Sequence, residues 1–321
     1  MTKKYQASEK KVREVLAFVA VYGEALALDT YGLKPTTLDR YWRLAKEYGI
    51  DGLKKSTALR KIGENYDEIE LRAIAKGARV LPGMAKVPHI DFSGETVKFG
   101  TLSDTHLGSI YTDPHYVMAA FKEFEKEKVD FITHSGDVTE GMSHRPGHVY
   151  ELSHIGYAAQ KKHAISLFNK CPAPIYMIDG NHDRWYIKSN GALIVEDICA
   201  NIEHAEYLGH DEGDIAIGNT TIKLWHGEDG NSYATSYRIQ KVIESLTGGE
   251  KPGIMLCGHT HKQLYMFERH IHAFSCGSIQ KQSKWMRGKR IPAHTGFWII
   301  EATLNDEGIA KVNSTWHPFY A

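Results

Sequence analysis

Five strand-length apolar runs in this chain each end in residues able to bind cations. TVKFGTLSD ends at Asp104, with His106 two residues on, and VDFITHSGD ends at Asp137. APIYMIDGNHD ends at Asn181, His182 and Asp183, TTIKLWHG reaches His226, and GIMLCGHTH closes on His259 and His261. Asp104, His106, Asp137, Asn181, His226, His259 and His261 offer three carboxylate or amide oxygens and four imidazoles. That mixed set suits divalent Mn, Fe, Zn or Ni rather than Ca or Mg alone, with manganese the first choice. Seven donors exceed the three or four that a single catalytic zinc uses. They match two divalent ions roughly 3.5–4 Å apart sharing one carboxylate, an arrangement that serves phosphoryl hydrolysis. Paired cations bring the pKa of a bridging water toward neutrality, making hydroxide available, and neutralise an anionic ester. No GxSxG or P-loop motif is present, and no cysteine is placed as a nucleophile.

A cluster of this kind needs a scaffold that carries five segments to one edge. From residue 96 onward the strand-length runs alternate with helical stretches such as PHYVMAAFKEFEKEK and GYAAQKKHAISLFNK, which predicts an α/β domain over 96–321. Ligand crevices in such sheets lie beyond the carboxyl ends of the strands, and all five clusters fall there. A single histidine at a strand end is more often a solvated or satisfied residue, and 13 of the 18 histidines lie outside these motifs. His134, in FITHSGD, is expected to pack beside the site.

The ordered series DTH, GD, GNHD, WHG and GHTH, over residues 104–261, resembles the calcineurin-like metallophosphoesterases. The resemblance implies a four-layer α-β-β-α sandwich and divides the ligands between two ions. Asp104, His106, Asp137 and His261 would hold one; Asp137 would bridge to a second completed by Asn181, His226 and His259. His182 resembles the imidazole that stabilises or protonates the leaving oxygen. Protein phosphatases of the family place a carboxylate three residues after the bridging Asp to pair with that histidine. Glu140 stands at that offset, so Glu140 or Asp183 would orient His182.

Substrate contacts are expected from Arg184 and Trp185, directly after GNHD, and from His144 in the insertion GMSHRPGHVYE. His144 and its neighbour His148 read equally as parts of a surface loop. The run KQSKWMRGKR (281–290), with Lys284 and Arg287 among its five cations and one Trp, reads either as a solvated loop or as a nucleic-acid contact.

The N-terminal part has a different character. Residues 1–62 hold 13 Lys and Arg against 7 Asp and Glu, although the whole chain balances at 39 and 39. Val12, Val15, Leu16, Val19 and Ala20 keep a helical stripe after Ser8; EALALDTYG is a short second helix. A third helix, TTLDRYWRLAKEYG, would be capped by Thr36 or Thr37 and stopped by Gly49. This resembles the helix-turn-helix of DNA-binding phage proteins and recombinases, with Arg40, Arg43 and Lys46 on the last helix; a dimerisation or docking module fits equally. Residues 63–95 read as one more helix and a linker. Apolar residues are 42% and charged residues 24% of the 321, ordinary for a globular protein. No run suits a membrane helix, no signal peptide is seen, and the four separated cysteines read as reduced core residues, so a cytoplasmic setting is expected.

The functional expectation is a dinuclear phosphodiesterase or nuclease acting on DNA. A monoesterase acting on nucleotides or phosphoproteins, with the helical module docking a protein, is the alternative. A non-enzymatic scaffold or DNA-binding regulator belongs to a different class; the complete ligand set argues against it. A homo-oligomer is left open.

Overall fold

Helical periodicity gives way to strand periodicity along the chain, and the computed structural model divides accordingly into Met1–Pro82 and Gly83–Ala321. The described residues are 7–22, 24–50, 87–90, 94–228, 234–247 and 249–320.

In the first unit, α1 (Glu9–Tyr22) is capped by Ser8, whose hydroxyl accepts from Lys11 N at 3.3 Å. α2 (Glu24–Thr30) follows, then α3 (Pro35–Glu47). α3 begins before the expected Thr36 or Thr37 cap, because the fixed φ of Pro35 already suits the first helical position. Gly49 ends it at φ 65°, and Ile50 N donates back to Ala45 O at 2.9 Å, closing the turn as a Schellman motif. Val12, Val15, Leu16, Leu38, Tyr41 and Leu44 form one small core. Arg40, Arg43 and Lys46 stay exposed.

The second unit is built on two six-stranded sheets. β2 (Thr96–Leu102), β3 (Phe131–Ser135), β4 (Ile175–Asp179) and β5 (Ala205–His210) run parallel, and the antiparallel pair β11 (Gly296–Asn305) and β12 (Gly308–Pro318) extends the sheet from β2. The other sheet contains β1 (His89–Ile90), β6 (Glu212–Ile217), β7 (Thr220–Trp225), β8 (Ile254–Cys257), β9 (Gln263–Glu268) and β10 (Ile271–Cys276), in the order β1-β6-β7-β8-β10-β9. β1 corrects the expected linker: residues 89–90 pair in parallel with β6. The helix expected after residue 63 lies outside the described residues.

Between the sheets, Phe99, Phe131, Ile178, Ile222, Leu256 and Phe274 make one core. The outer face of the first sheet packs on α4 (Pro114–Glu127), α5 (Tyr157–Phe168) and α7 (Ile194–Cys199) through Phe124, Phe168 and Ile198. α8 (Tyr237–Ser245) covers the second sheet with Ile239 and Ile243. The result is the four-layer α-β-β-α sandwich. Two short helices remain near the catalytic edge, α6 (Trp185–Asn190) and α9 (Lys284–Gly288).

Candidate metal centre

Each expected ligand segment begins one or two residues beyond a parallel strand: Asp104 after β2, Asp137 after β3, Asn181 after β4, His226 after β7 and His259 after β8. The first two segments continue side by side past the sheet, with Asp104 N donating to Gly136 O and His106 N to Asp137 O, both at 3.0 Å. Asp104, His106, Asp137, His259 and His261 all take a left-handed backbone, φ 45° to 69°. Asp and His tolerate that region better than most residues, and strained positions of this kind cluster at functional sites. Gly180 is needed for close approach, since a Cβ there would lie 2.2 Å from Asp137 Oδ1 and 2.7 Å from His226 Nε2.

All seven expected ligands converge. Around Asp104, His261 Nε2 is 3.2 Å from Oδ1 and 3.1 Å from His106 Nε2. His106 Nε2 is also 3.6 Å from Asp137 Oδ2. That same oxygen is 3.2 Å from His226 Nε2, which in turn lies 3.1 Å from Asn181 Oδ1. His259 Nδ1 completes the group at 2.8 Å from Asn181 Oδ1. Asp137 Oδ2 is therefore common to both sets.

The donor chemistry fits cations. His226 Nδ1 donates to Ser135 O at 2.8 Å, which fixes its proton there in the neutral ring and turns the Nε2 lone pair toward oxygens of Asp137 and Asn181. Lone pairs facing one another need a proton or a metal between them. Before any cation binds, a proton fills that place: burial opposes it, but Asp137 and Asp104 push His226 up to about 10. Burial would raise the Asp104 carboxyl, yet His261 and then His226 bring it down to about 2. Asp137 is held well below the usual range against burial by His226 and His182. Burial, then the charge of His226, pushes His259 down to about 4, so it stays a neutral ligand.

His182 lies on the cavity side of these sets. Its Nδ1 donates to the Glu140 carbonyl at 2.8 Å, and its ring packs against Trp185, tilted by 34° with centroids 4.0 Å apart. Burial works against its charge, but Asp137 and Glu140 raise its pKa.

The expected carboxylate partner of His182 needs correction. The Glu140 carboxylate reaches elsewhere: Oε2 is 3.0 Å from His106 Nδ1 and accepts from Gln280 Nε2 at 2.9 Å, while Oε1 meets His148 Nε2 at 3.0 Å. Its nearest approach to His182 Nδ1 is 3.9 Å. Asp183 faces away from His182 as well, accepting from the backbone N–H of Val138, Thr139 and Gly180 and from the Thr139 hydroxyl. It ties two ligand loops together. His134 packs beside the site as expected, 2.9 Å from Thr105 Oγ1, and burial takes its pKa down to about 3.

The cavity over these residues measures about 390 Å³ and is walled partly by Trp185. Four other expected contacts lie off it. Arg184 is held by Asp179 at 3.4 Å, Asp211 at 3.1 Å and Glu228 at 3.0 Å. His144 and Lys284 are exposed, and Arg287 opens on a neighbouring groove. The walls come instead from Arg145, His148, Gln280, Trp285, Met286 and Ile291. His148 was legible only as half of a loop pair. Gln280 and Met286 carry no sequence signal, because their place depends on contacts between segments far apart in the chain.

The fold and this edge define a metallophosphoesterase, and a family model agrees. Residues 97–286 match the calcineurin-like phosphoesterase superfamily domain, so the chain belongs to that superfamily, whose members are metal-dependent hydrolases of phosphoesters. Among curated proteins, the DNA polymerase II small subunit of Methanothermobacter thermautotrophicus is 22% identical over 258 residues, covering 64% of this chain and 52% of that protein. The chain thus spans about half the length of that relative. Similar solved structures include an archaeal phosphodiesterase, 19% identical over 69% of this chain and 100% of the other with a TM-score of 0.40. A phosphoesterase of E. coli, Yfce, is 18% identical over 68% of this chain and 98% of its own, with a TM-score of 0.39. No described helix is long and apolar enough to cross a membrane.

Proposed function

We propose that the chain is a phosphodiesterase acting on DNA, with one divalent ion held by Asp104, His106, Asp137 and His261 and a second by Asp137, Asn181, His226 and His259. The observation that carries this reading is Asp137 Oδ2, placed within 3.6 Å of His106 Nε2 and 3.2 Å of His226 Nε2, beneath a cavity that also holds His182. Two bound cations would neutralise phosphate oxygens and make a water acidic enough to attack near neutral pH. His182 keeps its Nδ1 proton on the Glu140 carbonyl, leaving Nε2 to give a proton to the departing oxygen. Its raised pKa keeps that proton available, and Trp185 fixes the ring plane. Glu140 orients His106 from behind, as outer carboxylates do for metal-binding histidines.

The DNA assignment is supported by the relative named as a DNA polymerase subunit. The exposed Arg40, Arg43 and Lys46 on α3 and the cations of 281–290 add to it. Arg145 in the cavity wall, though paired with Glu151 at 2.6 Å, favours the monoester alternative, because a terminal phosphate carries more charge for a guanidinium to grip. Cleavage of end-labelled single- and double-stranded DNA by Mn²⁺-loaded protein decides between them. Cleavage that disappears in His182→Ala supports the nuclease. Turnover of a phosphomonoester with intact DNA overturns it.

A further inference from the structure

The segment 280–293 separates the catalytic cavity from a second depression, and its residues are shared between the two. Gln280, Ser283, Trp285, Met286 and Ile291 face the cavity. Lys281, Gln282, Arg287 and Ala293 line an open groove of about 640 Å³ on the other side. The divider at its centre is one short helix, α9, about 10–12 Å across with its side chains.

The two sides differ in chemistry. Trp285 lines the cavity yet is 47% exposed, so part of its indole is open to a ligand. On the groove side, Lys281 sits with Nζ 4.9 Å from the Tyr116 ring centroid, and Arg287 is exposed. The acidic residue of the groove, Asp113, is engaged by His115, whose backbone N–H donates to its Oδ1 at 3.0 Å. The charge of Lys281 still reaches Asp113 and helps to lower its carboxyl, and Arg287 forms no ion pair with a described residue. Arg184, by contrast, is held by three carboxylates. Cations on one side of a short helix and an accessible aromatic on the other are what a nucleic-acid strand crossing it uses, phosphates on the former and a base on the latter.

We infer that α9 is the divider over which a single strand of DNA is laid. The nucleotide at the scissile phosphate enters the cavity with its base against Trp285, and the following phosphates descend into the groove along Lys281 and Arg287. An indole face is available only to an unpaired base, which selects single-stranded or frayed ends over intact duplex. This rests on the nuclease reading and adds to it the strand state and the path.

The test is fluorescence anisotropy of a labelled single-stranded hexanucleotide with the full chain in chelator, across a salt series. Each phosphate contact on single-stranded DNA contributes about 0.7 to the slope of log affinity against log salt. Lys281→Gln with Arg287→Gln should therefore flatten the slope by about 1.4. Trp285→Ala should weaken binding about 10-fold and leave the slope alone. A slope unchanged in the double variant, or affinity unchanged in Trp285→Ala, overturns the strand path. Adding Mn²⁺ separates the two readings. Cleavage alongside an unaltered slope sinks the path and spares the nuclease; the expected slope change without cleavage does the reverse.

Discussion

Opposite sides of one cavity are held in place very differently. Asp104, Asp137, Asn181, His226 and His259 stand one or two residues past the ends of parallel strands, and backbone hydrogen bonds between adjacent loops fix them. Arg145, His148, Trp285 and Met286 come from two segments more than 130 residues apart in the numbering. Those segments are joined chiefly by side chains: Gln280 Nε2 donates to Glu140 at 2.9 Å and to Ser109 Oγ at 3.0 Å, and His148 meets Glu140 at 3.0 Å. The ligand side inherits its geometry from the sheets, so chemistry there is set by backbone. The opposite wall depends on Glu140 and Gln280, so its shape is open to change by single substitutions.

The largest effect should come from breaking what the two ligand sets share. Asp137→Asn removes the charge of the common oxygen, and metal content measured by elemental analysis should fall at both sites with turnover down about 10³-fold. Two tightly bound ions in that variant would contradict the sharing. His182→Ala tests the boundary between the two sides. It should retain metal while hydrolysis drops about 10²-fold or more, and unchanged turnover would remove His182 from the reaction.

Glu140→Gln sharpens the comparison, because Glu140 serves both sides. Metal affinity should weaken about 10- to 100-fold through His106, and proteolysis of the 141–151 loop should quicken as His148 loses its partner. An effect on affinity with the loop unchanged would mean the wall is held independently.

The smallest effect is a pH dependence behind the wall. Burial, then the charge of the neighbouring His154, pushes His163 down to about 4; the two rings are stacked with centroids 4.0 Å apart. The unfolded chain takes up a proton near the ordinary value of 6.5, while the folded chain resists until about 4. This contribution is whole above pH 6.5 and is lost as pH falls toward 4. Denaturation midpoints across that window should fall less steeply in His163→Gln; identical pH profiles would exclude the residue.

Strand ends and ligand types were readable because strand-length apolar runs and the polar residues after them are both local features. The helices α4 and α5 were legible for the same reason. β1 was not, since two residues become a strand only when β6 lies beside them. Arg184 misled because a cation after GNHD resembles a phosphate contact until Asp179, Asp211 and Glu228 are seen around it.

The sequence by itself determined the donor set, its order and the α/β scaffold that gathers it, since these follow from residue chemistry and short-range periodicity. Only the tertiary structure decided that Asp137 Oδ2 faces both sets, that Glu140 supports His106 and His148, and that Asp183 locks loops. It also decided that Trp285, not Lys284, faces the cavity. Each depends on which way a side chain turns among neighbours distant in the chain, and sequence spacing carries no information about that.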